Sequence, residues 1–166
     1  MSERLKVYLE TTFVSWLVAR PATLVRSACI QAYTRRWWQE YADRCELYVS
    51  PIVVREASKG DIEQVQKRLD IVNGLNLLDS EIGAVKDLAR KLVIGHAIPE
   101  EESADALHIA TAAVYGMDML LTWNCKHMAN LATLPKTIGI ISKAGYECPQ
   151  IITPEAILED ESDGKI

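Results

Sequence analysis

Several things are scarce in this sequence. Its four cysteines (Cys29, Cys45, Cys125 and Cys148) form no Cys-x-x-Cys pair, which argues against a disulfide scaffold and against the commonest zinc spacing. No apolar stretch is long enough to span a bilayer, and the start, Met1-Ser2-Glu3-Arg4-Leu5-Lys6, is charged where a cleavable leader would be apolar. The expectation is a cytoplasmic protein with reduced thiols and no membrane partner. Positive charge is also short, with 18 Lys and Arg against 23 Asp and Glu and a formal net charge of −5. A phosphate-binding surface usually leaves a basic footprint, so the overall charge does not announce a nucleic-acid partner. There is no internal repeat, no low-complexity segment and no linker that would separate two domains.

What is present is the material of one core. The 166 residues are 49% hydrophobic and 25% charged, enough apolar mass for one globular domain. Residues 1–158 are expected to form it, and residues 159–166 to be an acidic, frayed tail. In that tail Glu159, Asp160, Glu161 and Asp163 outweigh Lys165, so about three of the five excess negative charges lie outside the body.

Five short apolar runs, at residues 5–9, 46–49, 75–78, 119–122 and 151–153, predict strands. Between them the apolar period lengthens. Val25, Cys29, Ala32, Tyr33, Trp37 and Tyr41 mark one stripe of a long helix, and Ile82, Val85, Ala89 and Leu92 mark another. Asp79 or Ser80 could cap the first turn of the second. Residues 103–115 are alanine-rich, with Ser103 a plausible N-cap. Strands alternating with helices imply an α/β fold: a three-layer α/β/α sandwich around a parallel sheet of about five strands.

In such sheets, reacting groups collect beyond the carboxyl ends of the strands. Four oxygen-bearing side chains stand at such positions. Glu10 follows the first strand, and Glu56 lies on the helix that follows Ser50-Pro51. Asp105 sits in the first turn of the alanine-rich helix, and Asn124 follows the fourth strand. Together they could hold a hard divalent cation, because Mg²⁺ and Mn²⁺ take carboxylate, carbonyl and water ligands. Spacing alone leaves their convergence open: Glu56 also suits a solvated helix acid beside Arg55 or Lys59, and Asp105 also complements a helix dipole.

Three strings carry a resemblance: Val7-Tyr8-Leu9-Glu10-Thr11-Thr12, Asp105-Ala106-Leu107-His108-Ile109-Ala110 and Leu121-Thr122-Trp123-Asn124-Cys125-Lys126-His127. In order and approximate spacing they resemble the blocks of the PIN-domain family, within it the VapC-like branch of bacterial toxin–antitoxin systems. The resemblance runs over nearly the whole chain. It implies a metal-dependent endoribonuclease, with one Mg²⁺ or Mn²⁺ ion held by Glu10, Glu56, Asp105 and Asn124, and Thr12 and Thr122 supporting them. It also implies a homodimer and, in many relatives, a small antitoxin that blocks the site. Two departures stand out. Glu10 occupies a position that is mostly Asp in the family, and Asn124 and His127 stand where many relatives have acids. The alternative reading is a PIN-fold module that binds nucleic acid or a partner protein with little or no catalysis.

The remaining features each have two readings. His108, three residues after Asp105, either supports a carboxylate or is a satisfied histidine of the core. His96, between Gly95 and Pro99, reads as loop decoration, and Cys125, His127 and Cys148 lack a fourth ligand for zinc. Trp37 fits the buried stripe, while Trp38 suits an interface better than a base platform. The stretch from Arg20 to Arg44 is locally basic, which makes Arg20, Arg26 and Arg35, together with Lys126, candidate RNA contacts.

Overall fold

The structure is a computed structural model describing residues 4–163, so Met1–Glu3 at one end and residues 164–166 of the expected tail lie outside the described residues. Its strands are β1 (Lys6–Leu9), β2 (Glu46–Val49), β3 (Asn76–Leu77), β4 (Met119–Leu121) and β5 (Gln150–Ile152). All five lie within or beside the apolar runs of the sequence. The helices are α1 (Thr11–Val18), α2 (Val25–Tyr41), α3 (Pro51–Ala57), α4 (Ile62–Val72), α5 (Gly83–Ile94), α6 (Ser103–Val114), α7 (Leu134–Lys143) and α8 (Pro154–Asp163). Among the described residues no helix is long and apolar enough to cross a membrane.

The sheet is wholly parallel, in the order β3-β2-β1-β4-β5. Val7, Tyr8 and Leu9 of the central strand are all fully buried, as expected of a parallel strand covered on both faces. The chain moves outward from β1 to β2 and β3, then returns to lay β4 on the other side of β1. Sites in such sheets lie beyond the strand ends where the direction reverses, and here Glu10 and Thr122 follow the two strands on either side of that point. One helical group packs α5 against α6 and α7, and the other joins α1, α2, α4 and α8, with α3 touching both. Phe13 meets Trp37 edge-on at 5.5 Å between ring centroids, which locks α1 to α2. Trp38 is half-buried and tilted over the same Phe13 ring.

Alanines explain the depth of α6. Ala106, Ala110, Ala112 and Ala113 are buried with Asp105, His108, Ile109 and Thr111, so this helix enters the core on most of its circumference. Its N-cap is Glu102 and not Ser103, which is its first helical residue. Likewise α5 begins at Gly83 with Ile82 as N-cap, and Asp79 instead closes the preceding turn by accepting from the Glu81 N–H at 2.8 Å. At the other end of the chain α8 continues through Asp163, and Tyr33 donates to Glu159 at 3.0 Å. Residues 159–163 are therefore helical where fraying was expected, because α8 packs on α2.

The end of α5 is tightly specified. The Ala97 N–H bonds to the Leu92 carbonyl (3.0 Å) and the His96 N–H to that of Val93 (2.9 Å), the paired pattern of a Schellman ending. His96 takes the left-handed position, φ 56°, that glycine usually fills. Gly95 precedes it for another reason: a Cβ there would lie 2.5 Å from Ile140 Cδ1 and 3.0 Å from the Lys91 carbonyl oxygen. Gly95→Ala is expected to destabilise the fold by about 1–3 kcal/mol through this overlap, measured by urea denaturation. Ile140→Val, which removes the nearest atom, should recover part of that loss when combined with it, so additive losses in the double variant would place the strain elsewhere.

Candidate functional site

Glu10 leaves β1 as the N-cap of α1, with only 3% of its surface exposed. Its Oε2 accepts from the Thr12 N–H (3.1 Å), the Thr12 hydroxyl and the Thr122 hydroxyl (2.7 Å). The same two threonines tie down the fourth strand's exit, because Thr12 Oγ1 accepts from the Trp123 N–H (2.8 Å) and Thr122 Oγ1 from the Asn124 N–H (2.9 Å). Thr12 and Thr122 thus join the ends of β1 and β4 through one carboxylate oxygen. Among the described residues nothing donates to the other oxygen of Glu10.

Glu56, on α3, is held from two sides. Its Oε1 accepts from the Thr11 hydroxyl (2.8 Å) and lies 2.6 Å from His108 Nε2. His108 is fully buried, and its Nδ1 lies 2.7 Å from the Tyr8 hydroxyl, itself 2.7 Å from Ser50 Oγ. Burial disfavours charge on His108, but the Glu56 hydrogen bond and the negative charges of Glu10, Glu56 and Asp105 outweigh it and raise its pKa. Glu56 also feels burial, and the bond and charge of His108 overcome it to hold the carboxyl below its ordinary range. Burial pushes the Tyr8 hydroxyl far above its usual value, so it stays neutral. When His108 is protonated, both its nitrogens donate and Tyr8 passes its own proton toward Ser50. The two readings of His108 therefore coincide: it is a satisfied buried histidine, and it holds a carboxylate.

Asp105 occupies the first turn of α6, 8% exposed. Burial raises its pKa, the Asn124 hydrogen bond opposes the rise, and the charge of Glu10 adds to it. Asn124 Nδ2 donates to Asp105 Oδ2 at 2.9 Å, and Asn124 Oδ1 accepts from the His127 N–H at 3.0 Å. The amide expected as a ligand is therefore engaged at both ends and steadies Asp105. One ligand atom each from Glu10, Glu56 and His108 lies within 4.8 Å of the others, the one such His, Cys, Asp or Glu cluster of three among the described residues. No cysteine belongs to it.

A divalent cation suits the acids of this region, of which Glu10 and Glu56 belong to that cluster and Asp105 stands outside it. Neither Glu10 nor Asp105 makes an ion pair with Lys, Arg or His among the described residues, although both are buried. His108 offsets their charge only in part, and adjacent buried carboxylates are costly in such a place. Each of Glu10, Glu56 and Asp105 has one oxygen fixed by protein donors and a second that receives none among the described residues. Hard oxygen donors of this kind fit Mg²⁺ or Mn²⁺.

The candidate basic contacts divide. Arg20 pairs with Asp61 and Glu63, each at 3.1 Å, and Arg35 donates to the Ala19 carbonyl at the end of α1. Arg26 and Lys126 meet no carboxylate within ion-pair distance among the described residues, and both are exposed. Sequence reasoning missed Thr11, Tyr8 and Ser50. A hydroxyl in the middle of a fully buried strand was the available signal, since it requires a partner.

Tyr8→Phe is expected to cost about 1–3 kcal/mol in urea denaturation, because it strips a fully buried ring nitrogen of its partner. An unchanged midpoint would mean that His108 is held in some other way.

No protein-family model matches the chain, and no curated protein matches it. Among solved structures it is similar to a chain in the crystal structure of VapBC2 from Rickettsia felis bound to a DNA fragment from their promoter. The identity is 18%, the TM-score is 0.58, and the match covers 90% of this chain and 98% of that one. The two chains thus share one fold, here a five-stranded parallel sheet between two helical layers.

Proposed function

We propose that the protein is a divalent-cation-dependent endoribonuclease of the PIN toxin type, cutting single-stranded or structured RNA. The observation that carries this reading is the pair of buried acids, Glu10 and Asp105, at the switch point of the sheet, with no lysine or arginine paired to either among the described residues and the one nearby base, His108, bonded to Glu56. Glu10, Asp105 and Glu56 would hold one Mg²⁺ or Mn²⁺ ion through their free oxygens. A cation of this kind supplies Lewis-acid stabilisation of the charge developing on a phosphodiester and activates water for attack.

The chain's own residues set the geometry. Thr12 and Thr122 fix the rotamer of Glu10, Thr11 and His108 fix that of Glu56, and Asn124 fixes Asp105. His108 acts as a positioning residue, since both its ring nitrogens are already committed. Arg26 and Lys126 are the basic side chains left for phosphate contact.

The same reading assigns the protein to the cytoplasm, as one domain that works as a homodimer and is restrained by a small antitoxin. A surface suited to a partner chain lies around the Arg20 ion pairs, where Leu24, Val25 and Ile62 are 72%, 80% and 87% exposed.

The parent and Asp105→Asn should be compared on single-stranded RNA with Mn²⁺. The variant is expected to lose at least ~100-fold in cleavage rate, the scale of removing a charge-stabilising group from a reaction centre. In EDTA it should melt at a higher temperature, because burial and Glu10 disfavour the Asp105 charge. Equal cleavage would remove Asp105 from the site. Absence of any saturable Mn²⁺ binding below about 10 mM in calorimetric titration would favour the binding-module reading.

A further inference from the structure

A cavity of about 500 Å³ is walled by Val93, Ile98, Pro99, Glu100, Lys126 and His127 together with their neighbours. Its volume falls within the roughly 300–1,000 Å³ of small-molecule sites. Both walls are continuous with the candidate site. Glu100 begins the single 3-10 turn (Glu100–Glu102) that runs directly into α6 and Asp105. On the opposite wall, the His127 N–H donates to Asn124, whose amide donates to Asp105.

Two observations mark the cavity as built for a ligand. The His127 side chain is only 15% exposed, and its one charged neighbour is Glu102, whose Oε1 stands 3.7 Å from Nε2, an ion-pair separation too long for a hydrogen bond. The ring nitrogens thus keep hydrogen-bonding capacity toward the cavity. The second observation is backbone strain. His96, on the same wall, sits at φ 56°, a conformation that costs a non-glycine residue of order 1–3 kcal/mol and tends to persist at ligand clamps. The Schellman ending of α5 and the close packing of Gly95 on Ile140 hold that wall rigid.

We infer that this cavity receives the base of a nucleotide flanking the scissile phosphate, an inference that rests on the ribonuclease reading above. Val93, Ile94 and Pro99 offer apolar surface to the faces of the base, and the imidazole of His127 offers a stacking plane and hydrogen-bonding nitrogens. Lys126 stands at the mouth for the adjoining phosphate. An ionised Glu100 can only accept hydrogen bonds, so it favours a base edge carrying an exocyclic amine (adenine, cytosine or guanine) over that of uracil, whose one donor there, N3–H, is flanked by two carbonyls that repel a carboxylate.

The test digests a pool of random single-stranded RNA with the parent, His127→Ala and Glu100→Gln in Mn²⁺, and sequences the cut ends. At one position beside the cut, the parent should disfavour uridine by roughly fivefold or more. His127→Ala should flatten that position alone, and Glu100→Gln should relax only the discrimination against uridine. An unchanged profile in both variants, with melting temperatures like the parent's, would overturn the inference while leaving the ribonuclease reading intact, and so would a parent indifferent to all four bases. A parent that cuts nothing fails the ribonuclease reading. Fluorescence anisotropy of labelled A, C, G and U trinucleotides in Ca²⁺ then decides the cavity separately: base-selective binding lost in His127→Ala upholds it, and equal binding of all four by every variant sinks it.

Discussion

The arrangement turns on a carboxylate, Glu10, placed almost out of water between two parallel strands. Three donors converge on one of its oxygens, from Thr12 twice and from Thr122 once. Hydrogen bonds to an ionised acceptor are roughly twice as strong as neutral ones, which makes a buried charge tolerable there. The same donors leave its other oxygen free to face the crevice. The ends of β1 and β4 are consequently held by a polar junction.

Glu56 illustrates a second solution to the same difficulty. It is less buried, and it receives a charged or chargeable partner in His108 where Glu10 has only hydroxyls and an amide. His108 in turn needs Tyr8, and Tyr8 needs Ser50, so that one surface-reaching acid requires a train of three buried polar groups behind it. Partly satisfied, such a train would be worse than an apolar core. Completed, it fixes α3, α6, β1 and the exit of β2 relative to one another.

Much of this was legible in the sequence, and the reasons differ from residue to residue. The strands could be read because apolar runs of four or five residues bounded by caps have few other uses. Glu10 and Asp105 could be placed because strand ends and first helical turns are identifiable from pattern alone. The junctions between them could not. Tyr8, Ser50, Glu56 and His108 meet across separations of 42 to 100 residues, and no local period records that pairing. The bracing by Asn124 was illegible for a related reason: an amide suits a ligand as readily as a brace, and only the positions of Asp105 Oδ2 and the His127 N–H reveal its hydrogen bonds. The His96 turn was invisible too, since a histidine at a position usually given to glycine carries no turn signature.

The central place of β1 has a further consequence, in time as well as in space. It is made first, yet one of its two neighbours is β4, and the hydroxyl that anchors Glu10 comes from a residue 112 positions later. Closing so long a loop is slow, and non-local parallel pairing dominates the folding time of sheets of this kind. During synthesis the first three strands emerge with one flank of β1 bare, and the carboxylates are brought together only when about three quarters of the chain exists. The nascent protein is thus incomplete at its chemical centre for most of the time it takes to make it.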